Sequence, residues 1–169
     1  MSILPIIKYP NPGLSKPALE VAEVTPELQL LADNMLETMY NAPGIGLAAP
    51  QVGESVRLIV LDVDRNDIPR CPVILFNPRI VEQAGEQVYE EGCLSVPNYL
   101  ADVIRAQRVL VEGIDREAQP LQIEGEGLLA ICLQHEIDHL DGKLFLDRIS
   151  PLKRALYRKR RLKELDQAS

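Results

Sequence analysis

The stretch EGLLAICLQHEIDHLDG, residues 126–142, constrains this chain more than any other. Its apolar periodicity reads as a helix ending near Gly142. Both histidines of the chain, His135 and His139, fall inside it, four residues apart, with Glu136 beside the first. Positions i and i+4 share a helical face about one turn apart. Two imidazoles so placed can grip one metal ion at roughly 2.0–2.1 Å each. Glu136, one residue on, stands beside such an ion instead of on it, where a general base for an activated water belongs. The fold must then deliver a further ligand to that face.

The search for that ligand is short. One zinc-protease pattern places a third histidine six residues after the second, and Phe145 occupies that position here. Another takes a glutamate from a later helix, but Glu164 lies in a strongly charged segment that reads as a solvated face. Cys132 shares the helical face, yet it is about 10.5 Å along the axis from position 139, and helical side chains lean toward the N-terminus. Its sulfur points away, so it reads as part of an apolar face or a pocket lining. Cys71 precedes Pro72 and a Val-Ile-Leu-Phe run and reads as a core residue. Cys93, in YEEGCLSVPN, remains. A Cys/His/His set with one position open is catalytic in type, since structural sites close with four protein ligands.

A chain of 169 residues fits one domain with a real core. Three cysteines, odd in number and widely spaced, argue against a disulfide framework and for a reducing compartment. The N-terminus MSILPIIKYPNPGLSKP has no secretory pattern, and no apolar run reaches membrane-spanning length. A cytoplasmic protein with no membrane and no DNA partner is expected. Charge is uneven: residues 1–149 hold 11 Lys and Arg against 23 Asp and Glu, whereas residues 150–169 hold 7 against 2. The basic end therefore suggests a partner of its own. We read 1–149 as a single catalytic domain and 150–169 as a basic C-terminal helix, with Ser150 as its cap and Pro151 at its first position.

Elsewhere, TPELQLLADNMLETMYN (25–41) reads as a helix capped by Thr25, with Leu28, Leu31, Met35 and Met39 as its apolar stripe. APGIGLAAPQVG (42–53) reads as a loop. Residues 56–63, 71–77 and stretches within 79–90 and 103–115 read as strands. A helix, then short strands, then helices indicates an α+β fold with antiparallel pairing. The G-x-G-x-x-A within GIGLAAPQ follows a helix and runs into Pro50, so it is no dinucleotide fingerprint. It is either a plain turn, which the stretch alone favours, or a loop that lets a substrate backbone come close, with the Gln51 amide donating to an oxyanion.

Taken in order, GIGLAAPQ, EGCLS and QHEIDHLDG resemble the three signature motifs of the peptide deformylases, and the resemblance runs from ILPIIKYPNPGLSKPA to GKLFLDRISPLK. It implies antiparallel sheets around a central helix that carries the HExxH motif. It implies an enzyme that removes the N-formyl group from the formyl-methionine of nascent polypeptides, releasing formate. Carried over by motif position, Cys93, His135 and His139 would hold the metal, natively Fe²⁺, with Zn²⁺ or Ni²⁺ also accepted. Glu136 would be base and acid, and Gln51 with the Leu94 backbone N–H would form the oxyanion hole. Gly44, Ile45, Gly46 and Gly92 would border the peptide, and Leu128, Ile131 and Cys132 would line the methionine pocket. Leu100 stands where bacterial relatives often carry a basic residue. Arg105 is expected to pair with Glu91 or Asp138 to brace the site. The basic terminal helix would dock on the ribosome. The rival readings are a small metallopeptidase and an RNA-binding module with a structural metal.

Overall fold

The computed structural model describes residues 2–168. Helix α1 spans Pro26–Asn41, and the Thr25 hydroxyl accepts from the Leu28 N–H at 3.3 Å, capping it as expected. Strand β1 (Gly46–Ala48) leads into a 3-10 turn at Ala49–Val52. Then follow β2 (Leu58–Leu61), β3 (Val73–Ala84), β4 (Gln87–Cys93), β5 (Val96–Arg105), β6 (Arg108–Ile114) and β7 (Pro120–Glu126). Helix α2 spans Gly127–Leu140, and α3 spans Pro151–Ala168. Ser150 caps α3, its hydroxyl accepting from Lys153 N–H at 3.2 Å.

Five strands form one sheet in the order β1-β2-β3-β6-β7, and β4 with β5 forms a separate hairpin; every pairing is antiparallel. The all-apolar Leu58-Ile59-Val60-Leu61 of β2 is buried on both faces, and strand alternation explains how. Ile59 and Leu61 pack with Ala130, Leu133, Ile137 and Leu140 of α2. Leu58 and Val60 pack with Met35 and Met39 of α1. The sheet is thus covered by α2 on one side and α1 on the other. A third cluster joins Val103 of the hairpin to Leu14 near the N-terminus, Phe145 before α3 and Tyr157 within it. From Ala130 to Leu140 every residue of α2 is buried. The helix is therefore central, and its two histidines lie in the interior.

Three readings need correction. Residues 42–53 are not all loop: Gly46, Leu47 and Ala48 pair with Leu61, Val60 and Ile59. A three-residue strand is too short to show a period, and its identity comes from its partner. Strand β7 and the first half of β5 carry polar residues on one face, which hid them; β7 alternates exposed with part-buried positions. Cys71 is exposed, not in the core, because the chain turns inward only from Val73. Within α1, Met35 and Met39 are fully buried, while Leu28 and Leu31 are only partly so. Among the described residues, no helix is long and apolar enough to cross a membrane.

Candidate active site

Helix α2 presents His135 and His139 on one face, and their Nε2 atoms are 3.2 Å apart. The end of β4 brings Cys93 to them, with Sγ 3.4 Å from His139 Nε2. One ligand atom from each of the three lies within 4.8 Å of the others. A register shift between Glu91 and Cys93 precedes the tight turn in which Cys93 pairs with Val96. Such a bulge re-aims side chains beside a site. The donor chemistry tests the fit. His135 Nδ1 is 2.9 Å from Glu91 Oε1, so it carries the proton and donates, which leaves the Nε2 lone pair facing inward. Two imidazole nitrogens and a sulfur converge in a buried place, and such donors repel unless a proton or a cation lies among them. The set fits a divalent ion that accepts nitrogen and sulfur.

The charges around the site follow from burial and neighbours. Burial, then the adjacent His135, holds the His139 imidazole well below its ordinary range. Burial also disfavours the charged form of His135, but Glu136, Cys93 and Glu91 outweigh it and push it well up, so a proton holds Nε2 wherever no ion does. Glu136, 4% exposed, is pushed up to about 7, first by burial, and its Oε1 has no hydrogen-bond partner. The Cys132 thiol lies outside the three-donor set. It is 3.6 Å from the Ile45 carbonyl, and burial, then Glu136, drives its pKa well up, so it is a neutral thiol.

Around the donors runs a chain of ion pairs. Arg105 is 5% exposed and forks onto Glu91 at 2.6 and 3.0 Å. Its remaining arm reaches Asp138 at 2.9 Å, and Arg148 holds Asp138 from outside at 2.7 and 3.0 Å. The expectation was one partner for Arg105; it has both. Burial pushes the Glu91 carboxyl up, but hydrogen bonds from His135 and Arg105 overcome this and hold it below its ordinary value. Glu91 thus orients the His135 ring, and Arg105 orients Glu91.

The site opens into a cleft of about 890 Å³. Gly44, Ile45 and Gly46 form one wall, Gly92 and Leu100 lie across from them, and Leu128, Ile131, Cys132, His135 and Glu136 are also among the lining. A Cβ on Gly46 would sit 2.5 Å from Glu136 Oε2 and 2.9 Å from Cys132 Sγ, so only glycine lets this wall come so close. The Gln51 carbonyl accepts from Ala48 N–H at 2.9 Å, which turns its NH₂ toward Ser95 Oγ (3.1 Å) and Cys93 Sγ (3.6 Å). Leu94 lines the cleft, and its carbonyl accepts from Lys8 Nζ at 2.8 Å. Sequence reasoning did not find Lys8, Ser95 or Arg148. Ser95 closes the EGCLS motif, but its partner Gln51 lies 44 residues away, and nothing in the local sequence marks Lys8 or Arg148.

Comparison with known proteins gives a consistent answer. A family model described as polypeptide deformylase matches residues 3–155. The chain is 53% identical over 160 residues to a peptide deformylase of Thermodesulfovibrio yellowstonii, covering 95% of this chain and 97% of that one. It is similar to a crystal structure of a peptide deformylase from Legionella pneumophila, with a TM-score of 0.90, 46% identity and 99% of both chains covered. It is also similar to one from Ehrlichia chaffeensis in complex with actinonin, with a TM-score of 0.92, 38% identity, and 97% and 98% covered.

Proposed function

Because the chain belongs to the polypeptide deformylase family, and so removes the N-formyl group from nascent peptides, we propose that the cleft over α2 is where it does so. The carrying observation is that Cys93, His135 and His139 bring three donor atoms together beside Glu136 at a glycine-walled cleft. These three residues hold one divalent ion, Fe²⁺ in the cell, with Zn²⁺ or Ni²⁺ accepted. When bound, the ion supplies a Lewis acid and lowers the pKa of water.

The chain's own residues do the rest. Glu136, buried and with a free oxygen, takes the proton of the attacking water. Oxygen bonds to the formyl carbon, and the Gln51 NH₂ and the Leu94 N–H donate to the oxyanion; each such donor is worth about 10²–10³ in rate. Glu136 then returns the proton to the departing nitrogen as the C–N bond breaks, leaving formate and a free amino terminus. Leu128, Ile131 and Cys132 receive the methionine side chain, and Gly44, Ile45, Gly46 and Gly92 border the peptide. Residues 1–149 act as one catalytic domain, and the enzyme works in the cytoplasm. The terminal helix fits docking on the ribosome: Lys153, Arg154, Arg158, Lys159 and Lys163 are exposed, while Tyr157 is buried and ties the helix down.

The test is formate release from a formyl-methionyl tripeptide by anaerobically purified protein, with metal analysis alongside. Glu136→Gln should keep the ion and lose at least about 10² in kcat. Hydrolysis of internal peptide bonds without formate would establish the metallopeptidase reading instead.

A further inference from the structure

The wall that meets the peptide is the open edge of the large sheet, since β1 is its terminal strand. Gly46 stands opposite Leu61, and the Asp62 N–H donates to the Ile45 carbonyl at 2.8 Å. Antiparallel pairing alternates, so at Gly46 both backbone groups turn away from β2 and toward the open edge. The positions two residues away on that edge are already engaged. Ala48 N–H is taken by Gln51. Gly44 N–H donates to Met39 O at 2.7 Å, and its carbonyl accepts from Arg65. The free edge is therefore one residue wide, and its place depends on what pins its two ends.

Gln51 already belongs to the site, but Arg65 does not. Its guanidinium reaches back from the segment after β2 and donates to two carbonyls, Gly44 O and Tyr40 O, the second at 2.8 Å. It thereby ties the end of α1 to the start of β1. Tyr40 is held in turn: its hydroxyl donates to Asp62, and Arg70 lies over its ring with Cζ 4.1 Å from the centroid. A planar fork spanning two carbonyls fixes both position and orientation, which a single point donor does not. The geometry points to Arg65 as a positioning residue for substrate binding: it sets where Gly46 offers its backbone to the formyl-methionyl peptide. This rests on the deformylase reading. Arg65 touches neither the donor set nor Glu136, so it acts on binding and leaves the chemical step alone.

The experiment is steady-state formate release by wild type, Arg65→Ala and Arg65→Lys, with metal content and melting temperature measured on the same samples. For Arg65→Ala, KM should rise about five- to tenfold with kcat within twofold and metal content unchanged, as expected for loss of binding common to ground and transition states. Arg65→Lys keeps the charge but lacks the fork, and its KM should rise about two- to fivefold. A KM within twofold of wild type in folded Arg65→Ala overturns the proposal, as does a kcat that falls as far as KM rises. If Arg65→Ala does not fold, Arg65→Lys decides, and a KM within twofold there overturns it. A wild-type protein that releases no formate overturns the functional reading and this inference with it; an active wild type with an unmoved variant overturns this inference alone.

Discussion

Replacing Arg105 by alanine removes the one cation that two buried carboxylates share. The side chain makes three charge-assisted hydrogen bonds, at 2.6 and 3.0 Å to Glu91 and 2.9 Å to Asp138. Breaking a buried pair from one side costs about 3–5 kcal/mol, because the remaining charge stays out of water without its partner. Asp138 keeps Arg148, whose side chain is 43% exposed, and Glu91 keeps His135, so the low end, about 3 kcal/mol, applies. At roughly 2–4 °C per kcal/mol for a chain of this size, the melting temperature should fall by about 6–12 °C. Glu91 is also released to turn away from His135 Nδ1, and losing such support typically costs 10–100-fold in metal affinity. Far-UV circular dichroism melts and competition against a chelator measure the two effects. A double variant sharpens the test: Glu91→Gln in the Arg105→Ala background removes the stranded charge and should recover part of the lost stability. A fall under about 2 °C with unchanged ion affinity would refute the view that this network braces the site.

Gly46→Ala should cut kcat/KM by at least about 10², because its Cβ would meet Glu136 Oε2 at 2.5 Å and one of the two must move; formate release by the folded variant checks it. Tyr40, pushed up to about 12 by burial and then by its bond to Asp62, should ionise above the ordinary tyrosine range. The stability its neutral hydroxyl contributes is whole below about pH 10 and fades as pH rises through about 12, a loss that ultraviolet titration and melts of Tyr40→Phe should show as absent. Neutralising Lys153, Arg154, Arg158, Lys159 and Lys163 together should weaken ribosome binding and flatten its salt dependence, with activity on free tripeptide unchanged. Deleting residues 150–169 is the poorer test, since it strips the buried Tyr157 ring from the cluster it shares with Val103 and Phe145.

The parts of this molecule that were legible in its sequence share one property: their signal is local or their residue type is rare. His135 and His139 are the only histidines, and their spacing alone puts them on one helical face. Cys93 could be reached by elimination because only three cysteines compete and helix geometry disposes of Cys132. Cys71 shows the limit of that method, since the apolar run after it describes β3 and says nothing of the residue just before the strand. The residues that hold the chemistry in place are of common types with distant partners. Arg65 and Arg148 are two among 18 Lys and Arg, and nothing around them in sequence separates an arginine that clamps Gly44 from one that faces solvent. The same holds for β1. Its three residues become a strand because Leu58–Leu61 lies alongside, and only then does Gly46 acquire an edge to offer. Spacing and residue rarity therefore announce the donor set, whereas the pairing of β1 with β2 decides where the proposed peptide-binding edge lies. That is why a substitution at Arg65, which belongs to no motif but holds the first residue of one, is the one expected to move KM and leave kcat alone.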